Sequence, residues 1–360
     1  MTDQSPPTDV RSVIGVVAIG RNEGERLRRC LESVKGLVAA TVYVDSGSSD
    51  GSVDLARSLG VEVVSLDMSI PFTAARSRNA GARRLFELLP NIEFLQMVDG
   101  DCEIVSGWLE RALQEMHAPV NANVAIVCGR RRERHPEASV YNRLIDMEWN
   151  TPVGEADACG GDALIRAAAF RQVGGYDETV IAGEEPEMCW RMRQAGGGNW
   201  RIVRIDAEMT LHDAQLTRFT QWWKRNVRSG HAYAEGHAMH GHVDGYCGHA
   251  LRSIVQWALV LPLVMLGLAW FTWGASFLLL GLYIVLWARI RAYRMNQHKD
   301  SSADASQYAN YCIAGKFAHL QGVITYWWNR LLGRKSKLIE YKSAETARVA
   351  DPAVANGGGA

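Results

Sequence analysis

An α/β fold built on a parallel sheet is predicted by three features of the sequence. Val13 to Ile19 (VIGVVAI) is a continuous apolar, β-branched run, the signature of a strand buried on both faces. Strand-like and helix-like segments then alternate through Leu66 at the spacing of a parallel sheet with crossover helices. Finally, Phe94 to Glu103 (FLQMVDGDCE) reads as a buried strand that ends in two aspartates bracketing a glycine.

After the first strand, Gly20-Arg21-Asn22-Glu23 breaks the run. Leu27, Leu31, Val34 and Leu37 then recur at helical spacing over Glu25 to Val38. Thr41 to Val44 is a second strand, closed by Asp45-Ser46-Gly47-Ser48-Ser49-Asp50-Gly51, whose small capping residues lead into a helix over Ser52 to Leu59. Val61 to Leu66 is a third strand. A helix carrying Arg76, Arg78, Asn79 and Gly81 follows, and then the strand from Ile92 to Val98. Ligands of such sheets bind at the carboxyl ends of the strands. The polar clusters fall there: Asn22 and Glu23, then Asp45 and Asp50, then Asp99 and Asp101.

Asp99 and Asp101 are hard oxygen donors one residue apart, and Gly100 lets the backbone turn or approach a ligand. That suits Mg²⁺ or Mn²⁺, which take one or two carboxylates and complete their shell with water and substrate phosphate. An ordinary Asp-Gly turn is the alternative. No dinucleotide glycine fingerprint follows the first strand and no GxxxxGK[ST] occurs, so nicotinamide oxidoreductases and P-loop enzymes lack their key residues. An acidic rim implies phosphates neutralised by a metal.

Composition excludes other classes. The chain has 360 residues, with Lys+Arg and Asp+Glu equal at 39 each, so no global basic signal points to nucleic acid. Its seven cysteines are scattered without a Cys-x-x-Cys pair, which fits reduced thiols. The opening MTDQSPPTDVRS has acids, prolines and no apolar core, unlike a signal peptide.

The ordered motifs VVAIGRNEG, VDSGSSDGS, ARSRNAGA, FLQMVDGD, GGDALIRAAAFRQVGGYDE and GEEPEMCWRMR resemble the family-two glycosyltransferases of GT-A fold, over roughly Val13 to Gly230. The resemblance implies a Rossmann-like, mostly parallel sheet with helices on both faces. It also implies a nucleotide-diphosphate-sugar donor, a divalent Mn or Mg cofactor, and inversion at the anomeric carbon by direct displacement. Asp101 would hold the metal, with Asp99 beside it or on the ribose, to stabilise the leaving diphosphate. Asn22, Glu23, Asp45, Ser48, Arg78 and Asn79 would form the nucleotide pocket. Gly160, Gly161 and Asp162 would lie on the acceptor side. Glu184 and Glu185 occupy the place of a Glu-Asp pair whose second member is the general base, so either is a candidate to deprotonate the acceptor hydroxyl. As carboxylates opening a helix they also suit the helix dipole.

His212-Asp213 follows the strand Ile202 to Ile205 and a short loop, where a His can face the metal; a structural histidine is the alternative. The segment RFTQWWKRNVRSG resembles one that lies by the bilayer and closes over the diphosphate, which makes Arg225 and Arg228 candidate phosphate contacts. An amphipathic helix snorkelling at a membrane is compatible with that. Arg130-Arg131-Arg132-Glu133-Arg134 reads as a solvated loop, with binding of an anionic acceptor the alternative. His231, His237, His240, His242 and His249 crowd the next segment, but no spacing among them matches a closed metal site.

From Ile254 to Ala288 no residue is charged. A spanning helix takes about 20 apolar residues, so a tight hairpin turning near Gly274 is expected, either crossing or dipping into the bilayer. Arg252 before it and Arg289, Arg291 and Arg294 after it place both flanks in the cytoplasm by the positive-inside rule. A buried helical pair in a soluble core is the alternative. Tyr308 to Leu332, ending in Arg334, Lys335 and Lys337, reads as an amphipathic helix on an anionic leaflet.

The expected organisation is therefore a disordered lead over 1–12, a catalytic domain over 13–230, a His-rich linker over 231–252, the hairpin over 253–294, an interfacial region over 295–342 and a disordered tail over 343–360. The expected activity is sugar transfer to a lipid-linked glycan of a surface polysaccharide at the cytoplasmic face of the inner membrane. The alternatives are direct transfer to a polyprenyl phosphate and a non-catalytic sugar-binding scaffold. The sugar, the nucleotide base and the oligomeric state have no signature.

Overall fold

The apolar run from Val13 becomes an inner strand of a mixed sheet in the computed structural model, which describes residues 10–195 and 200–334. The opening residues 1–9, Lys335, Lys337 and everything after them lie outside the described residues. The chain divides into two compact units. Of the described residues, the first holds 10–179 and 184–217 and the second holds Val180–Gly183 and those from Arg218 to Arg334.

In the first unit, α1 (Val10–Val13) runs directly into β1 (Ile14–Gly20), then α2 (Glu25–Glu32), β2 (Ala40–Asp45), α3 (Ser52–Ser58), β3 (Glu62–Ser65), α4 (Ala74–Leu88) and β4 (Phe94–Asp99). Next come β5 (Cys102–Ile104), α5 (Trp108–His117), β6 (Val124–Glu133), α6 (Val140–Glu148), β7 (Gly154–Glu155), β8 (Ala163–Arg166), α7 (Ala167–Gln172), α8 (Glu184–Gln194) and β9 (Arg201–His212). The strand order is β3-β2-β1-β4-β8-β6-β9-β5, with β7 also on β9. The half from β3 to β4 is parallel; β8 and β5 run antiparallel to their neighbours.

Close packing sets the strand ends level with one another. Gly81 is required on α4, because a Cβ there would fall 2.3 Å from Val17 Cγ1; without it the helix could not seat on β1. Thr73 Oγ1 caps α4 by accepting from the Arg76 N–H at 3.1 Å, a bond worth about 1 kcal/mol. In the resulting register Gly20 pairs with Asp45 and Ile19 with Asp99. The carboxyl ends of β1, β2 and β4 therefore form one rim.

Two segments differ from the sequence reading. The helix expected over Glu25 to Val38 stops at Glu32, where Ser33 caps it and turns run on through Gly36, at φ 74°. The strand expected at Ile202 to Ile205 continues to His212, because it is shared between β6 on one side and β5 and β7 along the other.

The second unit is helical. The helix α9 (Phe219–Asp244) runs unbroken through residues 231–244, expected as a linker, until Gly245 ends it in the left-handed conformation. A helical stretch over Gly248–Ala269 comprises α10 (Gly248–Val255), a π-helical turn and α11 (Leu261–Ala269). The turn has a cause: Pro262 has no N–H to offer Ala258, one helical step back. Trp273 and Gly274, both at positive φ, reverse the chain, and a second stretch over Ala275–Gln297 includes α12 (Gly281–Gln297). Each stretch is long and apolar enough to cross a membrane: 22 residues rise about 33 Å against a hydrocarbon core of about 30 Å. Few of their side chains are buried, and Trp273 at the turn between them is 99% accessible.

The last described helix, α13 (Ser302–Leu331), buries a mostly small-residue face, Ala305, Ala309, Gly315, Ala318 and Gly322, together with Val323 and Tyr326. Close approach explains this. A Cβ on Gly322 would lie 2.0 Å from the Val227 carbonyl oxygen of α9, and one on Gly230 2.0 Å from that of His319. Phe317, Ile324, Trp327, Trp328 and Leu331 are left exposed.

Candidate active site

The rim at the strand ends carries two linked clusters of buried charge. In the first, Arg78 reaches up from α4 and bridges two acids. Its Nη2 donates to Asp99 Oδ1 at 2.7 Å and its Nη1 to Glu184 Oε1 at 2.7 Å. The other Asp99 oxygen accepts from Arg131 Nη2 at 3.2 Å. Arg131 also donates to the Gly160 carbonyl at 3.1 Å, and its Nε lies 3.5 Å from Asp162 Oδ2. Asp162 is wholly buried, and accepts from the Asp99 N–H at 3.0 Å and the Thr210 hydroxyl at 2.8 Å. Burial pushes the Asp162 carboxyl above its usual range, against the pull of Arg131. Burial alone would lower both guanidiniums; the surrounding carboxylates outweigh it and hold Arg78 and Arg131 above their ordinary values.

Gly161 is favoured as a glycine by its backbone conformation, and it lies in contact with the cluster. Its φ is +97°, and a Cβ there would stand 3.4 Å from Arg78 Nη2 and 3.8 Å from Asp99 Oδ2. The backbone of 160–161 thus lies against the charged cluster.

The second cluster joins Asp101, His212 and Glu133. His212 ends β9, paired with Cys102 of β5 on one side and with Glu133 of β6 on the other. Its Nδ1 lies 3.0 Å from Glu133 Oε2 and its Nε2 lies 3.4 Å from Asp101 Oδ2. A carboxylate only accepts, so Glu133 accepts from the proton on Nδ1 and orients the ring, leaving Nε2 as the atom turned to Asp101. A cation bound between Nε2 and the Asp101 oxygen would take the Nε2 lone pair and a carboxylate oxygen as ligands. Asp101, Cys102 and His212 together offer donor atoms within 4.8 Å of one another. Hard oxygen and imidazole nitrogen fit a divalent ion such as Mn²⁺. Trp149 closes the site: the Arg131 guanidinium lies 4.2 Å from its ring centroid and the His212 ring meets it edge-on at 4.7 Å.

Arg131 and Glu133 correct the reading of residues 130–134 as a solvated loop. They belong to β6, and strand alternation buries Arg131 and Glu133 while Arg132 points out. That alternation was the available signal; five consecutive charged residues obscured it.

The other candidate residues fall in three places. Asn22 and Ser48 clip the β1 and β2 loops together, the Asn22 N–H donating to Ser48 Oγ at 2.9 Å and Asn22 Oδ1 accepting from the Ser49 N–H at 2.7 Å. Asp45 holds that loop in shape, accepting from the N–H groups of Gly47 and Ser48 and from the Tyr43 hydroxyl. Glu23 pairs with Arg26 at 2.8 Å and packs near Gly100. Asn79 is directed instead to the following loop, bonding both backbone groups of Tyr176 and the Glu178 carboxylate. Glu185 likewise turns away from Asp99: its Oε1 accepts from the Cys159 N–H and, at 3.0 Å, from the Cys189 thiol. Of the two acids opening α8, Glu184 is the one brought to the charged cluster. Arg225 and Arg228 are half-buried on α9 and belong to the second unit.

Comparison with known proteins shows what this part of the chain is similar to. Residues 16–174 match the profile described as Glycosyl transferase family 2. A pre-mycofactocin glycosyltransferase of Mycobacterium tuberculosis is 28% identical over 232 residues, 61% of this chain and 46% of that protein. The chain thus spans about half the length of that relative. The succinoglycan biosynthesis protein ExoA of Rhizobium meliloti is 25% identical over 294 residues, 74% of this chain and 84% of that protein. Among solved structures, the glucosyl-3-phosphoglycerate synthase of Mycobacterium tuberculosis, in complex with Mn²⁺, UDP and glucosyl-3-phosphoglycerate, superposes with a TM-score of 0.42 at 15% identity. That match covers 63% of this chain and 79% of the other. The matched residues, 16–174, run from β1 past the acidic end of β4 to the turn after α7, and it is over this segment that the chain is similar to glycosyl transferase family 2.

Proposed function

We propose that this protein transfers a sugar from a nucleotide-diphosphate-sugar to the hydroxyl of a membrane-held acceptor, a lipid-linked glycan of surface polysaccharide synthesis. The observation that carries the reading is the facing of His212 Nε2 and Asp101 Oδ2 at 3.4 Å, at the end of the strand rim where an α/β sheet binds its ligands. A divalent cation held there by Asp101 and His212 would supply positive charge to the leaving diphosphate. Asn22, Ser48 and Asp45 shape the loops at the nucleotide end of the rim. Arg78 and Arg131 keep Asp99 fixed beside the donor, and the Gly160-Gly161 backbone leaves room for the acceptor. Glu184 is assigned as the base that takes the hydroxyl proton, because a single guanidinium separates it from Asp99.

The membrane part of the reading rests on two exposed apolar helical stretches flanked by Arg252 and by Arg289, Arg291 and Arg294. Cationic flanks support the cytoplasmic face of the inner membrane for both ends of the hairpin. The exposed Trp270, Phe271 and Trp273 at the hairpin tip suit the opposite interface. Arg225 and Arg228, on the helix that precedes the hairpin, are proposed as diphosphate contacts. The name of the Rhizobium relative, a succinoglycan biosynthesis protein, agrees with a glycan product.

The test is thermal unfolding of the detergent-extracted chain with UDP-, GDP- and dTDP-sugars, each with Mn²⁺ and with chelator. One donor class is expected to raise the melting temperature with Mn²⁺ only, since a ligand selective for the native state stabilises it. Asp101→Asn should abolish that shift while preserving the unfolding transition. A donor shift that is the same in chelator, or in Asp101→Asn, overturns the metal-dependent reading.

A further inference from the structure

Between the first turns of α8 and the residue that precedes the Gly160-Gly161 loop, the first unit holds a second set of convergent donors. Cys159 precedes the Gly160-Gly161 loop, and Cys189 lies one helical turn after Glu185. All three residues are buried. The two Sγ atoms are 3.9 Å apart, Cys189 Sγ is 3.0 Å from Glu185 Oε1, and the three donor atoms lie within 4.8 Å of one another.

The spacing is that of a metal site more than that of a disulfide. Zn–S bonds of about 2.3 Å at a tetrahedral angle put two sulfurs about 3.8 Å apart, close to the separation here, whereas a disulfide needs about 2.05 Å. The donors also sort by softness. Two thiols favour Zn²⁺ or Cd²⁺, while the carboxylate and imidazole at Asp101 and His212 favour harder ions. We propose that Cys159, Cys189 and Glu185 form a second cation site, specific for one thiophilic divalent ion.

On binding, each thiol gives its proton to solvent as its sulfur lone pair takes the ion. Two protons leave per ion, and with the Glu185 carboxylate the loaded site carries one net negative charge. Cys189's hydrogen bond lowers the Cys159 thiol, but burial and the Glu185 charge outweigh it and push Cys159 up to about 11; burial holds Cys189 well above its ordinary value. Uptake therefore strengthens as pH rises. The loaded ion would tie the first turn of α8, which carries Glu184, to the loop of Gly160 and Gly161. The site stands on its own donors and does not depend on the transfer reaction.

The test uses the reduced full chain in detergent, with the half-buried Cys247 and Cys312 replaced by Ser. Cd²⁺ titration should give a near-ultraviolet thiolate charge-transfer band that saturates at one ion, disappears in Cys159→Ser and in Cys189→Ser, and saturates at higher Cd²⁺ in Glu185→Gln. A band unchanged in both serine variants overturns the proposal. Should either variant fail to fold, X-ray absorption at the zinc edge of the unmutated chain with one equivalent of Zn²⁺ decides. Two sulfurs at about 2.3 Å support the site, and a shell of nitrogen and oxygen alone overturns it.

Discussion

Glu133 Oε2 sits 3.0 Å from His212 Nδ1, so the orientation and tautomer of the histidine at the end of β9 are set by a carboxylate on the neighbouring strand. Glu133 is itself held by the Ala214 N–H and the Asn142 side chain. The ring cannot turn its protonated nitrogen toward Asp101 without breaking this network. Partners of this kind change metal affinity by about 10- to 100-fold.

Glu133→Gln should therefore weaken Mn²⁺ binding by about 10- to 100-fold while leaving the fold intact. The amide can donate to Nδ1 and so favours the tautomer with its proton on Nε2, pointing where the cation belongs. Mn²⁺ titration followed by electron paramagnetic resonance reads this without any turnover. Unchanged affinity would show that the Glu133–His212 pair is purely structural.

The two acids of α8 should separate under conservative substitution. Glu184→Gln is expected to lower kcat by about 100-fold or more and to leave donor affinity within a few-fold. Glu185→Gln should act mainly on stability, since Glu185 Oε1 is bound to Cys159 and Cys189. The reverse ranking of kcat would move the base to Glu185.

Arg131→Met removes the cation that faces both Asp99 and Asp162. Breaking a buried pair on one side leaves uncompensated charge and costs about 3–5 kcal/mol. Denaturant unfolding should register that loss, and Arg132→Met on the exposed face of the same strand should register little. Equal, small effects would return residues 130–134 to a solvated role.

His319 makes the second unit pH-sensitive. Burial, then the charges of Lys316 and Arg225, push its imidazole down to about 4 from 6.5. As pH falls through 6.5 the unfolded chain takes up a proton that the folded chain refuses until about pH 4. This group's contribution to stability is thus complete above pH 6.5 and is lost across that window, at about 1.4 kcal/mol per pH unit. Melting temperatures between pH 7 and 4.5 should fall less steeply in His319→Gln than in the unmutated chain.

Much of this was legible in the sequence because it is local. The β-branched run at Val13–Ile19, the 3.6-residue spacing of the helices and the charge-free stretch after Ile254 each specify an element through its own burial or solvation. The acids Asp99, Asp101 and Glu184 and the cation Arg78 stood out because they sit at the ends of such elements. What only the tertiary structure decided were pairings across strands and helices far apart in the chain. Glu133 and His212, 79 residues apart, become partners because β6 and β9 run in register. Arg131 was hidden in a run of charges that reads as solvated until the strand period buries every second one. Glu184 and Glu185 are chemically alike and adjacent, so sequence could not rank them. The helix geometry of α8 turns one toward Arg78 and the other toward Cys159 and Cys189, since neighbouring residues on a helix point about 100° apart.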